Sequence, residues 1–306
     1  MGMPFRLAFY APSEAVANQA AEAAFGRIKR LDQALSDYDP DSELMRLCAT
    51  SGPGRPVRVS DDLLTVLIAS QDLACRSGGA FDVTVGPVVR LWRKARKTRK
   101  MPPPEELAAA RKLVGWRNVV IDREAKTVEL CLAGMQLDLG GIAVGHALDE
   151  AMQVLRRHGV TSALIDGSGD ILVSDAPPGE TGWRIGVAPR GSPTGSPSRY
   201  LRLANASVTT SGDAWQFVEI DGQRYSHIVD PATGLGLTDR SSVTVIAPTG
   251  IIADSYATAV SVLGPDRGLR LIEDTCGAAV LIMRAPEGKE ATLVSSRWSL
   301  FERSEP

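Results

Sequence analysis

The chain has 306 residues, a formal net charge of −2 and a hydrophobic content of 44%. This composition is ordinary for a globular protein and argues against a disordered chain. A near-neutral chain is also a poor candidate for sequence-independent nucleic-acid binding, so no nucleic-acid partner is expected. No apolar run approaches the roughly 18 residues that a membrane span needs, and none is predicted.

The first third of the chain is predicted to be mainly helical. Residues 5–10 are typical of a short strand, and apolar residues at spacings of three and four then predict a helix up to Leu35. A polar loop follows at 36–43. Ser60 is placed as the N-cap of a second helix over residues 61–77, which ends at a pair of glycines.

A basic segment, residues 93–100, holds six lysines and arginines in eight positions. We interpret it as a solvated loop, with contact to an anionic partner as the alternative. Three prolines follow at 102–104, and a helix is predicted over 105–114.

The remaining two thirds of the chain mix strands with helices. Asp221-Gly222, between two alternating segments, is a strong hairpin signal. Residues 188–199, rich in Pro, Gly and Ser, predict a surface loop. The predicted strands are 118–121, 127–132, 135–139, 161–166, 170–173, 215–220, 224–228, 241–246, 278–283 and 291–294. The predicted helices are 143–158, 250–263 and 267–274.

This order lacks a regular alternation of strand and helix, and its hairpins indicate antiparallel pairs. The predicted fold class is therefore α+β, with mixed, largely antiparallel sheets covered by helices.

Generic motif searches give little. Gly167-Ser168-Gly169 is a weak dinucleotide-turn candidate, because Leu172 replaces the third glycine. Three histidines nearly exclude a multi-histidine metal site, although an oxygen-ligated cation remains open. The four cysteines lack metal-knuckle spacing, so we expect buried free thiols.

Two segments have the chemistry of a phosphate or cation site. Asp254 and Thr258 are four residues apart on a predicted helix and share one face, and Mg²⁺ prefers such oxygen ligands. Taken alone, this pair is more often a solvated helix face. The segment 138–141 ends a predicted strand and opens a helix, where free N–H groups favour phosphate, although an ordinary turn explains it equally well.

Three further positions each have two interpretations. In Gly79-Ala80-Phe81-Asp82 the small residues allow close approach of a ligand, but Phe81 could belong to the core and Asp82 could be a cap. Tyr38 alone would usually be a packing residue. His227 alone would usually be a satisfied polar side chain, although histidine can serve as a base.

Five segments in this order resemble the ApbE family, the FAD:protein FMN transferases, over nearly the whole chain. Their positions are 35–44, 79–92, 137–149, 210–234 and 253–259.

The resemblance implies one ApbE-like domain over residues 1–306, with two lobes and the FAD site in a cleft between them. It implies flavin-nucleotide contacts at Tyr38, Ala80, Phe81, Asp82, Asp138, Val144, His227 and Ile228. It implies Mg²⁺ ligands at Asp254, Thr258 and the main-chain carbonyl of Gly141. His227 and Asp254 are the expected catalytic residues, and Ser211 and Asp213 are further candidates for lining the cleft.

The implied reaction transfers FMN from FAD to a Thr or Ser hydroxyl of an acceptor protein and releases AMP. The family commonly has a lysine where this chain has Val144, and this loss of a cation keeps two alternatives open: a FAD pyrophosphatase and a non-catalytic FAD-binding protein. The expected compartment is periplasmic or membrane-associated if a signal segment has been removed, and cytoplasmic otherwise.

Overall fold

The computed structural model describes residues 2–190, 195–197, 199–212, 216–285 and 289–303. The chain divides into two compact units, each built from separated segments. The first unit comprises Met1–Arg30, Ile142–Ala214 and Ser241–Pro306, and the second comprises Leu31–Gly141 and Trp215–Arg240.

The helices over the described residues, in chain order, are α1 (Glu14–Leu35), α2 (Glu43–Ala49), α3 (Asp61–Ser77), α4 (Gly86–Thr98), α5 (Pro104–Arg111), α6 (Ala143–Arg157) and α7 (Gly250–Glu273). The strands are β1 (Phe5–Phe9), β2 (Val57–Arg58), β3 (Val119–Asp122), β4 (Thr127–Leu130), β5 (Ala163–Gly167), β6 (Asp170–Val173), β7 (Trp183–Val187), β8 (Arg199–Leu203), β9 (Ala206–Gly212), β10 (Phe217–Ile220), β11 (Gln223–Ser226), β12 (Ser241–Ala247), β13 (Ala279–Arg284), β14 (Ala291–Val294) and β15 (Glu302–Arg303).

The first unit is built on a sheet whose described strands follow the order β1-β5-β6-β9-β12-β13-β14. Every pairing described in it is antiparallel. Buried apolar residues of α1 and α6, such as Ile28 and Leu148, pack with Ile165 of β5 in one core. A smaller sheet, β15-β8-β7, contributes Ile185 and Leu201 to a second core around Trp298. Helices therefore cover one part of the main sheet, and the small sheet packs with another.

The second unit carries the sheet β2-β4-β3 and the hairpin β10-β11 beside its helices. Helix α4 buries Trp92, whose ring lies 5.0 Å from that of Tyr225 on the hairpin. The indole N–H of Trp92 donates to the carbonyl oxygen of Gly234 at 2.8 Å, which satisfies a buried donor. These contacts hold the hairpin against α4.

The predicted fold class is confirmed: the protein is α+β with antiparallel sheets and covering helices. Helix α3 has the predicted bounds, with the N–H of Leu63 donating to the Ser60 hydroxyl and Gly78 in the left-handed region at φ 64°. The β10-β11 turn also forms as predicted, with Asp221 at φ 50° and Gly222 at φ 78°.

Two local predictions are wrong. Most of the basic segment is helical: α4 runs to Thr98 and buries Trp92 and Ala95 on one face. Residues 135–139 form no strand, since the N–H of Leu137 donates to the Cys48 sulfur and that of Asp138 to the carbonyl oxygen of Val83. Their alternating burial is real, but contacts to Cys48 of α2 and to Val83 replace a strand partner.

Other differences are smaller. Cys48 is a buried free thiol as expected, whereas Cys75 and Cys276 are exposed, so that expectation is wrong for these two. Strands β7, β8 and β9 have no counterpart in the predicted strands, and the two helices predicted after residue 250 form α7, interrupted by the non-helical Gly264. Asp213 and parts of the predicted 188–199 loop and 215–220 strand lie outside the described residues. No helix in the described part of the chain combines the length and apolarity that crossing a membrane requires.

Candidate functional site

Asp254 lies in the first turns of α7 and is only 5% exposed. Its Oδ2 accepts a hydrogen bond from the main-chain N–H of Gly145 on α6 at 3.0 Å. Burial raises the pKa of this carboxyl well above its usual range, and the neighbouring carboxylates of Asp170 and Asp149 raise it further. Thr258 follows one helical turn later and is half-buried. The predicted pair therefore shares a helix face that is not solvated at Asp254.

Two further carboxyl groups of the first unit also have raised pKa values. Burial raises the pKa of Asp170, at the start of β6, to about 7, and Asp166 adds to the effect. Burial likewise raises the pKa of Asp149 to about 6. Asp149 caps α7 by accepting from the N–H groups of Gly250 at 2.6 Å and Ile251 at 2.9 Å. The sequence motifs gave neither residue a role, although Asp149 is the last residue of the segment 137–149.

The residues near Asp254 fit a hard cation. Burial and the neighbouring carboxylates raise the pKa of Asp254, so a positive charge beside it would stabilise its ionised form. The Thr258 hydroxyl on the same helix face adds an oxygen ligand. Among the described residues, no cluster of three or more His, Cys, Asp and Glu side chains could hold a metal ion. A cation at Asp254 must therefore complete its shell with hydroxyl, carbonyl, water or phosphate oxygens, which is how Mg²⁺ commonly binds.

The second unit gathers Tyr38 and Asp138 around Arg93 of α4, the first residue of the basic segment 93–100. Arg93 Nη2 lies 2.5 Å from Asp37 Oδ2 and 2.9 Å from Asp138 Oδ2. The guanidinium carbon stands 4.2 Å from the centroid of the Tyr38 ring. Two predicted flavin-contact residues thus touch the same arginine.

The charged groups in this cluster shift one another's pKa values. Burial raises the pKa of Asp138 to about 6, Asp37 raises it as well, and the Arg93 guanidinium limits the rise. Burial lowers the pKa of Arg93, but the carboxylates of Asp138 and Asp37 outweigh burial and raise it overall, so Arg93 remains a cation. The other Asp138 oxygen accepts from the N–H of Gly140 at 2.8 Å. Both carboxyl oxygens of Asp138 therefore accept a hydrogen bond, which fixes the orientation of this side chain.

The segment from Ala80 to Asp82 follows the end of α3. Phe81 is buried in the core, and Ala80 is half-buried. Asp82 Oδ1 accepts from the N–H and hydroxyl of Thr84, and its Oδ2 accepts from the N–H of Trp116 at 2.9 Å. The structure thus gives Phe81 and Asp82 the core and cap roles that were the alternatives, and flavin contact at these positions stays a prediction.

His227 follows β11, and Ile228 beside it is buried. The ring Nδ1 lies 3.1 Å from the main-chain oxygen of Gln216. Because a carbonyl oxygen only accepts hydrogen bonds, Nδ1 carries the proton, which leaves the lone pair of neutral His227 on Nε2. This tautomer suits a general base acting through Nε2.

Val144 and Gly141 belong to different units. Val144 is buried at the start of α6, and its Cγ1 lies 3.0 Å from the point where a Cβ on Gly167 would stand. Gly141, the expected carbonyl ligand, is the last residue of its segment of the second unit.

A cavity of about 450 Å³ in the second unit adjoins Tyr38 and Arg93. Its other lining residues are Arg96, Lys97, Gln216 and Phe217. A larger cavity of about 550 Å³ lies in the first unit, and the described residues that line it include none of the predicted site residues. The smaller cavity is therefore the one that matches the predicted chemistry.

Comparison with known proteins agrees with these features. The sequence profile of the ApbE family matches residues 1–282. The chain is 34% identical over 278 residues to the FAD:protein FMN transferase of Treponema pallidum, covering 86% of this chain and 76% of that protein. It is 32% identical over 270 residues to the enzyme of the same name from Haemophilus influenzae, covering 85% and 77%.

Solved structures give the same result. The flavin transferase ApbE from Vibrio cholerae superimposes with a TM-score of 0.88 at 29% identity, covering 98% of this chain and 96% of that one. The crystal structure of the ApbE protein from Thermotoga maritima gives 0.87 at 31% identity, covering 99% and 97%. The family match spans more than half of the chain, and on this basis the protein belongs to the ApbE family.

Proposed function

We propose that this protein transfers FMN from FAD to a Thr or Ser hydroxyl of an acceptor protein, in a Mg²⁺-dependent reaction that releases AMP. Flavin transfer in general is supported by relatives named FAD:protein FMN transferase. The observation that carries the finer proposal is Asp254, a buried carboxylate with a strongly raised pKa and a hydroxyl one helical turn away.

The reaction forms one phosphorus–oxygen bond and breaks another. The acceptor hydroxyl oxygen attacks the phosphorus on the FMN side of the diphosphate. The bond from that phosphorus to the bridging oxygen breaks, and AMP leaves with the bridging oxygen. The hydroxyl proton passes to a base, for which His227 Nε2 is our candidate, because Nδ1 is committed to the Gln216 carbonyl.

Asp254, Thr258 and the carbonyl of Gly141 are the residues that would hold Mg²⁺. When bound, the ion supplies charge neutralisation at the diphosphate and its leaving group. The Gly145 N–H fixes the Asp254 carboxylate in place by its hydrogen bond to Oδ2. Tyr38, Asp138 and the segments 80–82 and 227–228 are proposed to bind the flavin nucleotide.

The test uses FAD, Mg²⁺ and an acceptor protein that the Vibrio cholerae relative modifies. Mass spectrometry of the acceptor should show the added mass of FMN, and a chromatographic assay should show one AMP for each modified acceptor. An acceptor that the relative modifies and this protein leaves unmodified would count against the proposal.

Val144 favours a second candidate, a protein that binds FAD without turning it over. The buried Val144 is uncharged at a position where the ApbE family commonly has a lysine. That candidate predicts retained FAD and no AMP under all conditions. A FAD pyrophosphatase, by contrast, would release AMP and FMN in the absence of any acceptor.

A further inference from the structure

Arg93 joins three residues from separate segments of the second unit. Its Nη2 contacts both Asp37 and Asp138, whose side chains are only 14% and 11% exposed. Its guanidinium carbon lies over the Tyr38 ring, 4.2 Å from the centroid. A single cation therefore contacts two carboxylates and one aromatic ring at once.

The arrangement is not explained by stability alone. Burying three charges costs solvation energy that their attraction repays only in part. Arg93 Nε is also buried, with no hydrogen-bond partner among the described residues. A cluster kept for packing would be expected to satisfy this donor.

Tyr38 is unusually exposed for an aromatic residue, at 73%. Arg93 covers the ring from one side, and the adjoining cavity also presents Arg96 and Lys97. An exposed ring face beside positive charge suits a ligand that combines a flat aromatic ring with phosphate.

We propose that Arg93 is a positioning residue for FAD: it fixes the Tyr38 ring so that the flavin ring of the dinucleotide stacks on the face opposite the guanidinium. This inference rests on the proposed function. It adds a residue of this chain that neither the motifs nor the predicted contacts contained.

The test measures FAD binding without acceptor, by calorimetry and by the fluorescence of the bound flavin. The variants are R93M, R93K, Y38A and the double variant R93M/Y38A. The matched control is R184K, because Arg184 lies over the Tyr200 ring at 3.9 Å in the sheet β15-β8-β7, whose strands contain no predicted flavin contact.

We expect R93M and Y38A each to weaken FAD binding about tenfold, which corresponds to about 1.4 kcal/mol. The double variant should lose little more than either single variant, because Arg93 acts through the ring. Bound flavin should fluoresce more strongly in R93M than in the wild type, since a fixed tyrosine stacked on the flavin quenches it. R184K should bind as the wild type does.

R93K separates a loss of positioning from a folding defect. It keeps the positive charge between the two carboxylates, but a lysine cannot lie flat on the ring. We expect it to fold and to weaken binding about threefold. Wild-type affinity and wild-type quenching in R93K, or full additivity in the double variant, would overturn the inference while leaving the proposed function standing. Failure of the wild type to bind FAD would instead refute the proposed function.

Discussion

The main-chain N–H of Gly145 donates to Asp254 Oδ2, and the same glycine lies against the backbone of Gly250. A Cβ added at Gly145 would stand 2.2 Å from the Gly250 carbonyl oxygen and 2.8 Å from Asp254 Cβ. The first turns of α6 and α7 therefore meet through two glycines, and this contact sets the position of the buried carboxylate.

Gly145→Ala is expected to destabilise the protein by at least about 2 kcal/mol, because the new methyl group meets backbone that cannot move aside cheaply. The measurement is the free energy of unfolding in urea. Gly26→Ala in α1 is the control: its nearest neighbour would be an arginine tip at 3.8 Å, so a gain of about 0.5–1 kcal/mol is expected. Equal stabilities of the two variants would refute the close-contact argument.

Asp254→Asn should abolish a thermal stabilisation by Mg²⁺ while leaving the metal-free protein as stable as the wild type or more so. Asparagine keeps an oxygen for the Gly145 N–H but removes a buried charge. We expect FMN transfer to fall at least about 100-fold, which is the scale of removing a group that stabilises transition-state charge. Asp266→Asn, an exposed position on the same helix, is the control. An unchanged Mg²⁺-induced rise in melting temperature in Asp254→Asn would contradict the metal assignment.

Asp149 predicts a pH dependence of stability. Its pKa is about 6 in the folded protein, above the ordinary value of 3.8, so the folded state holds the proton more tightly than the unfolded chain. The contribution of Asp149 is then most favourable below pH 4 and is lost as the pH rises through 6. The total change is no more than about 3 kcal/mol.

Asp149→Asn removes this titration, so the stability difference between wild type and variant should grow in favour of the wild type as the pH falls from 7 to 4. Urea unfolding across this range measures it, and subtracting the variant cancels the other carboxyls. A difference that stays constant with pH would show that Asp149 does not titrate in this way.

Val144→Lys is expected to raise FMN transfer about tenfold, because it adds a cation beside the Gly145 N–H that holds Asp254. Burying its stem in place of the valine should lower the melting temperature by several degrees. Val144→Met has a similar length without charge and serves as the control. If both variants behave alike, charge at this position has no part in the activity.

The site shows where sequence reasoning reached its limit. Asp254 and Thr258 could be paired in advance, because helical periodicity alone places residues four apart on one face. Arg93 could not be paired with Asp37 and Asp138, since neither carboxylate is near it in sequence and a run of six basic residues looks solvated. The raised pKa of Asp254 was equally invisible, because its causes, burial and Asp170, come from the packing of α7 with other elements.

Local chemistry in the sequence determined the elements that depend on neighbours along the chain: the Ser60-capped helix α3, the Asp221-Gly222 hairpin and the apolar faces of α1 and α6. Only the tertiary structure decided the conformation of segments whose hydrogen-bond partners are remote in sequence. Strand β9 is rich in small and hydroxyl residues and becomes a strand because β6 and β12 supply its hydrogen bonds. Residues 135–139 have a strand's alternation and stay irregular because the Cys48 sulfur of α2 and the Val83 carbonyl oxygen accept N–H groups from this segment. Backbone hydrogen bonds and buried charges need partners, and those partners are fixed by the fold rather than by sequence spacing.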